Sequence, residues 1–303
     1  IASIGSSIIK VGAVFALVPL GLGVSGAIAG YIFAALVGFL LAWKLLGPVK
    51  RSGVNFRWRK LVGFGLPATL FAAIFFLLMS IDLYAVKAIR EVEAEVGYYT
   101  SATTISKAPY FLFAGLAMAL LPSISRSTSV NVTELTRNYI RQSLRYMLML
   151  LIPGVFLISA TSADLLTLVY SSKYIDAASS LSILVFGLAL LSIFFVLAHI
   201  IMGSGRPKVL VIALPLVGID IGLNIFLIPR YGLVGAAWAT TITGFLGTSA
   251  AAAYVLWHFK ALVSVISLGK ICLASLAIYV IALQLSLPTI WLPLIYMGLL
   301  ALY

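Results

Sequence analysis

A chain of 303 residues that is 63% hydrophobic and only 9% charged, with a mean hydropathy of +1.17, carries more apolar side chain than a water-soluble fold can hide. Its apolar runs are long and lack the period-2 alternation of a transmembrane β-barrel, so the expected fold class is all-α, a polytopic membrane protein of about ten transmembrane helices. A net charge of +12 would suggest nucleic acid in a soluble protein, but these basic residues gather in loops between apolar runs, which is the pattern of membrane topology; no nucleic-acid partner is expected.

Ten apolar segments follow one another, each near the roughly 20 residues that cross a bilayer as a helix. They span 4–20, 23–46, 61–89, 98–125, 141–170, 176–203, 208–229, 233–257, 266–285 and 289–303, and Lys10 interrupts the first. The chain starts at Ile1 and stops at Tyr303 inside an apolar run, with no signal-peptide cleavage pattern, and so reads as a fragment. The loops then set the orientation. Alternate loops hold 14 basic residues, among them Lys44, Lys50, Arg51, Arg126, Arg137, Arg141, Arg206 and Lys260, while the others hold 4, namely Lys87, Arg90, Lys173 and Arg230. The positive-inside rule places the 44–60, 126–145, 203–208 and 258–270 loops in the cytoplasm, with the protein in the cytoplasmic membrane. The 44–60 loop, with Gly47, Pro48, Ser52 and Gly53, reads as a linker between helix groups, and anionic headgroups attract such a stretch by about 1 kcal/mol per basic residue.

Along the helices, Pro67, Pro109, Pro153 and Pro215 each remove a backbone donor and are the hinge candidates. Between 224 and 240 the chain reads NIFLIPRYGLVGAAWAT. Pro229 ends one helix, Gly232 frees the backbone for a turn, and Gly235, Ala236 and Ala237 restart a helix with residues small enough for close packing. A tight hairpin between two membrane helices is expected here.

Four stretches resemble the multidrug/oligosaccharidyl-lipid/polysaccharide exporter superfamily, in particular its polysaccharide-transporter branch of lipid-linked oligosaccharide flippases. They are Ile81-Asp82 with Val96-Gly97-Tyr98-Tyr99; Ala119-Leu120-Leu121-Pro122-Ser123-Ile124-Ser125, similar to that family's L-P-x-x-S helix end; Tyr174, Ala177-Ala178 and Leu181 followed by Gly203-Ser204-Gly205-Arg206-Pro207-Lys208; and the 224–240 hairpin. The resemblance implies two six-helix lobes joined by a cytoplasmic linker. On that template 1–46 would be the last two helices of the first lobe and 47–60 the linker, with 61–257 the second lobe and 258–303 an extra helix pair.

Ionisable groups in a bilayer are expensive, so each is a functional candidate. Lys107 lies nine residues into its segment, roughly 14 Å deep at ~1.5 Å per residue, where a cation could hold the pyrophosphate of a lipid-linked sugar or pair with Asp82. Asp82 could instead bind a coupling ion, proton or sodium, or face outer water. Asp220 and Asn224 sit at i and i+4 on one helix face, placed to bridge helices or line a cavity. His199 is a candidate proton relay. Tyr98, Tyr99, Tyr110, Tyr170 and Tyr174 fit an aromatic belt at the outer interface, with sugar stacking by Tyr98 or Tyr99 as the functional alternative.

No Walker motif, phosphate loop, zinc-ligand spacing or Ser/His/Asp set occurs, and the one cysteine, Cys272, lies in an apolar run; neither catalysis, a cofactor nor a metal centre is expected. The reading is a flippase moving lipid-linked oligosaccharide by alternating access, with membrane lipids and the lipid-linked sugar as partners. A multidrug or organic-cation antiporter, favoured by Asp220 and disfavoured by Lys107, stays open as an alternative, and so does a membrane-embedded glycosyl transferase or polymerase.

Overall fold

A computed structural model of the chain describes residues 2–17, 23–46, 58–90, 92–129 and 133–284, and every regular element among them is helical. The expected last segment, 289–303, and linker residues 47–57 lie outside the described residues. The chain divides after Arg57 into two compact units.

The first unit holds α1 (Ala2–Leu17) and α2 (Gly23–Leu46), packed on each other. Lys10, the charge that interrupts the first apolar run, sits 4.5 Å from the centroid of the Tyr31 ring. The ring's negative face stabilises the ammonium by about 0.5–2 kcal/mol, so an apolar helix tolerates it.

The second unit holds α3 (Trp58–Leu78), α4 (Ile81–Arg90), α5 (Glu93–Ser106), α6 (Ala108–Ser129), α7 (Thr133–Ala160), α8 (Ser162–Val169), α9 (Ala178–Gly203), α10 (Leu214–Phe259) and α11 (Val265–Gln284), with 3-10 turns at Ser172–Ala177 and Pro207–Ala213. Among the described residues, six stretches are long and apolar enough to cross a membrane. The longest of these, Val209–Phe259 at 51 residues, folds back on itself at Gly232 and supplies two crossings. The protein is a multi-pass, all-α membrane protein.

Three expected continuous segments are broken. The 61–89 run splits at Met79–Ser80, the 98–125 run at Lys107 and the 141–170 run at Thr161. Lipid offers no water to a freed backbone group, so each break is satisfied locally. Ser80 N–H donates to Leu77 O at 3.0 Å, Lys107 N–H to Thr103 O at 3.0 Å, and Thr161 gives both its N–H and its hydroxyl to Leu157 O. Two of the hinge prolines are corrected by these boundaries. Pro109 and Pro215 lie in the first turns of α6 and α10, where a missing N–H costs no helical bond. Pro67 and Pro153 do sit inside α3 and α7. The LPSIS stretch is not a helix end either, because α6 runs through Pro122 to Ser129.

α9 is apolar all round and is the buried centre of the second unit, as such helices must be. Phe75 and Phe195 meet at 4.7 Å between ring centroids, Phe71 and Phe194 at 5.6 Å, and Tyr110 lies 5.3 Å from Phe195. His199, the candidate relay, gives its Nδ1 to Phe195 O at 2.8 Å within its own helix. Against α9 the second half of α10 approaches to backbone contact. A Cβ built on Gly187 would lie 2.8 Å from Thr241 Oγ1 and 2.9 Å from Thr241 N, and one on Gly244 would lie 2.8 Å from Gly187 O. Thr241 and Thr248 hydroxyls cross the same seam to Ile183 O at 3.3 Å and Leu190 O at 2.6 Å.

Gly187→Leu is therefore expected to force the helices apart and destabilise the bundle by about 1–3 kcal/mol. The lipid-exposed Phe245→Leu, 60% exposed in the native chain, should leave it unchanged. Thermal unfolding of the two variants in detergent decides; equal midpoints would refute the close crossing.

Candidate functional site

The site is built on the hairpin inside α10. Pro229 lies one turn before Gly232, whose φ of 58° and ψ of −137° are open to glycine and strained for any residue with a Cβ. The halves 214–231 and 233–259 run back antiparallel from that point. Leu227 faces Gly235, whose added Cβ would collide with the Leu227 carbonyl oxygen; Asp220 faces Thr243, and Leu216 faces Gly247. The expected hairpin is present, and glycine at 235 is what permits its closeness.

This pairing puts Asp220 twelve residues from Gly232, about 18 Å along the helix at ~1.5 Å per residue. That length is a little over half of a hydrocarbon core roughly 30 Å thick. Thr243 donates to Asp220 Oδ1 at 3.0 Å, and the Asn224 amide donates to Asp220 O at 2.9 Å. One turn nearer the hairpin, Thr240 donates to Asp82 Oδ2 at 3.1 Å. The Tyr99 hydroxyl donates to the same oxygen at 2.8 Å, and the Leu83 N–H holds Asp82 Oδ1 at 2.8 Å. Asp82, Tyr99, Asp220, Asn224, Thr240 and Thr243 are each 1% exposed or less. They join α4, α5 and both halves of α10 into one buried polar cluster, and Asp82 and Asp220 are close enough to interact electrostatically.

The cluster is incompletely satisfied. Asp220 Oδ2 and Asn224 Oδ1 are buried and have no hydrogen-bond partner among the described residues. An unpaired buried acceptor costs about 1–3 kcal/mol, and such atoms call for a water, a proton or an ion. The donor set is all oxygen: two carboxylates, an amide and hydroxyls. Hard oxygen ligands suit a hard cation or a proton rather than a thiophilic metal. Among the described residues no group of three or more His, Cys, Asp or Glu side chains is assembled.

Several site residues sit elsewhere than expected. Tyr99 and Tyr110 are core residues, 0% and 9% exposed, not members of an interfacial belt; one bonds Asp82 and the other fills the aromatic core. Tyr98 stays half-buried with its ring 5.8 Å from that of Tyr174, which is itself 5.3 Å from Tyr170. Lys107 stands half-buried at the break between α5 and α6 and forms no ion pair with Asp82. The described ion pairs are Arg90–Glu95 and Arg137–Glu134. Asp82 does not face water. Thr240 and Thr243 are the members that sequence reasoning missed, and the available signal was their i, i+3 spacing opposite Asp220 across the turn.

Tyr99→Phe keeps the ring and removes the donor to Asp82, and Thr240→Val removes the second donor. Each is expected to cost about 1–3 kcal/mol, with a coupling of at least ~0.5 kcal/mol between them because they share one acceptor. A double-mutant cycle of unfolding in detergent measures this, and strict additivity would show that the two hydroxyls do not share Asp82.

A probable low-salt glycan biosynthesis flippase, Agl15 of Haloferax volcanii, is 26% identical over 164 residues, covering 54% of this chain and 35% of that protein. An uncharacterised membrane protein of Methanocaldococcus jannaschii is 26% identical over 159 residues, covering 52% of this chain and 29% of that one. The matched stretch thus spans about a third of each curated relative. The solved inward closed conformation of the lipid II flippase MurJ superposes with a TM-score of 0.73 at 20% identity, over 98% of this chain and 64% of that one; at that identity the likeness is one of fold. A family model described as "Polysaccharide biosynthesis protein" matches residues 1–179. That is more than half of the chain, and the chain belongs to the polysaccharide biosynthesis protein family.

Proposed function

We propose that the chain is part of a flippase for lipid-linked oligosaccharide, and that the cluster around Asp82 and Asp220 is its coupling-ion site. The observation that carries the second statement is the pair of oxygens left without a partner among the described residues, Asp220 Oδ2 and Asn224 Oδ1, buried between the halves of α10. The family membership and the flippase relative support the first, and favour a saccharide cargo over organic cations.

In this reading residues 58–284 belong to the second lobe and its following helix, and the boundary after Arg57 falls at the basic linker. The 44–60, 126–145, 203–208 and 258–270 loops face the cytoplasm of a cell whose cytoplasmic membrane holds the protein. A sodium ion or a proton enters between the halves of α10 and takes up the free lone pairs of Asp220 and Asn224. Asp82, held by Tyr99 and Thr240, contributes negative charge from α4. Filling the site tightens α4 and α5 against α10, and emptying it releases them, so the cluster biases one of the two conformations of an alternating-access cycle. Lys107, at the junction of α5 and α6, meets the pyrophosphate of the cargo as a point charge. Cargo and ion are thus read from the middle of α5 and from the residue that ends it, with Tyr99 eight residues before Lys107.

The experiment uses the protein expressed from its complete gene in proteoliposomes and in a flippase-deficient strain. Lys107→Ala is expected to lower translocation of lipid-linked oligosaccharide about 10- to 100-fold, the ~1.5–3 kcal/mol of a hydrogen bond to a charged group, with recovery in Lys107→Arg. Asp220→Asn should abolish the dependence of transport on a sodium or proton gradient. Full activity in Lys107→Ala would remove that residue from the path. Gradient dependence that survives Asp220→Asn would remove the ion site.

A further inference from the structure

About 30 Å along α6 from Lys107, at ~1.5 Å per residue, a polar cavity of about 370 Å³ opens where four helix ends meet. The end of α6 contributes Ser127 and Thr128, the start of α7 Thr136 and Arg137, the turn after α9 Arg206, and the end of α10 His258. None of these groups touches the buried cluster of the proposed ion site.

The backbone that frames the cavity is well held. Thr136 donates to Ser127 Oγ at 2.7 Å, and Ser127 and Thr128 donate to Ile124 O at 3.1 and 2.7 Å. Arg137 Nε donates to Phe259 O at 2.9 Å, and its Nη1 to Glu134 at 2.6 Å. That pair leaves Nη2 of Arg137 for another partner. Gly205, at a φ of 78°, turns the chain so that Arg206 reaches the cavity. The Arg206 guanidinium has no hydrogen bond or ion pair among the described residues, and His258 is held only by ring contacts to Tyr254 and Phe259. Arg206 and His258 are close enough for the charge of one to act on the other. Among the described residues no carboxylate lines the cavity; Glu134 approaches it through Arg137.

Two guanidiniums and an imidazole around a walled, half-open space, with no acid on its lining, make a complement to a multivalent oxyanion. A phosphate group presents several acceptor oxygens, enough for the Arg206 fork, the free Nη2 of Arg137 and His258 together, and its charge relieves the crowding of the cations. We propose that this cavity binds a phosphate group, on an anionic lipid headgroup or on a soluble phosphate, and that Arg206 is its principal ligand. The site lies apart from both Lys107 and the α10 cluster, so it stands whether or not the flippase reading does.

The test places the protein, expressed from its complete gene, in nanodiscs of phosphatidylcholine. Thermal unfolding is followed with added sodium phosphate, with sodium chloride at equal ionic strength, and with phosphatidylglycerol mixed into the bilayer. Phosphate or phosphatidylglycerol is expected to raise the midpoint by about 2–4 °C or more above the chloride control, and Arg206→Gln to lose that increment. A rise with phosphatidylglycerol alone assigns the site to a lipid headgroup, and a rise with inorganic phosphate in the neutral bilayer assigns it to a soluble phosphate. His258→Gln gives a second variant should Arg206→Gln fold poorly, and native mass spectrometry of retained phosphatidylglycerol gives a readout that does not depend on stability. No rise above chloride in either condition, or an equal rise in wild type and both variants, overturns the proposal.

Discussion

In a hydrocarbon medium every polar group must find its partner inside the protein, and in this chain that demand converges on the Asp82 carboxylate. Hydrogen bonds from Tyr99 and Thr240 meet on one of its oxygens, and the Leu83 N–H takes the other. Satisfying it requires α4, α5 and the second half of α10 to meet at one depth. That meeting requires α10 to turn sharply at Gly232 and to lie flush along itself at Gly235. The close seam between α9 and α10 follows in turn, because α10 can reach Asp82 only if nothing larger than glycine stands at 187 and 244. Packing among lipid tails is weakly driven, so a few directional bonds select among many similar helix arrangements.

The contrast between the two carboxylates is informative. Asp82 has three donors, whereas Asp220 has Thr243 and a longer contact from the Asn224 amide on one oxygen and, among the described residues, nothing on the other. A fold selected for stability alone would have completed both shells, since a half-satisfied polar network is worse than an apolar one. This incompleteness beside a satisfied neighbour is the observation on which the proposed ion site rests. The anion cavity at the far end of α6 is the reverse case, where the surplus is of donors.

Much of this was legible in the chain. Hydropathy identified the membrane class, Pro229 and Gly232 identified the hairpin, and the spacing of Asp220 and Asn224 placed them on one face. Asp82 stood out simply by being charged. Thr240 and Thr243 did not, because threonines in membrane helices commonly bond their own backbone, and only the hairpin register and the arrival of α4 give them other acceptors. Tyr99 and Tyr110 were misplaced because an aromatic belt and an aromatic core have the same composition and differ only in tertiary surroundings. The breaks at Ser80, Lys107 and Thr161 were invisible for a different reason: average hydrophobicity does not sense whether the i→i−4 ladder continues.

The Asp82 cluster also has a history, set by the order in which the ribosome delivers its parts. Tyr99 follows Asp82 by 17 residues and Thr240 by 158. At ~5–20 residues per second, the tyrosine is made within about 1–3 s and the threonine only after about 8–30 s. Until the hairpin of α10 has been made, the donors to Asp82 that the chain can offer are Tyr99 and the Leu83 N–H. Of the two hydroxyls that meet on Asp82, Tyr99 is thus the one the chain holds from the start, and Thr240 the one it must wait for.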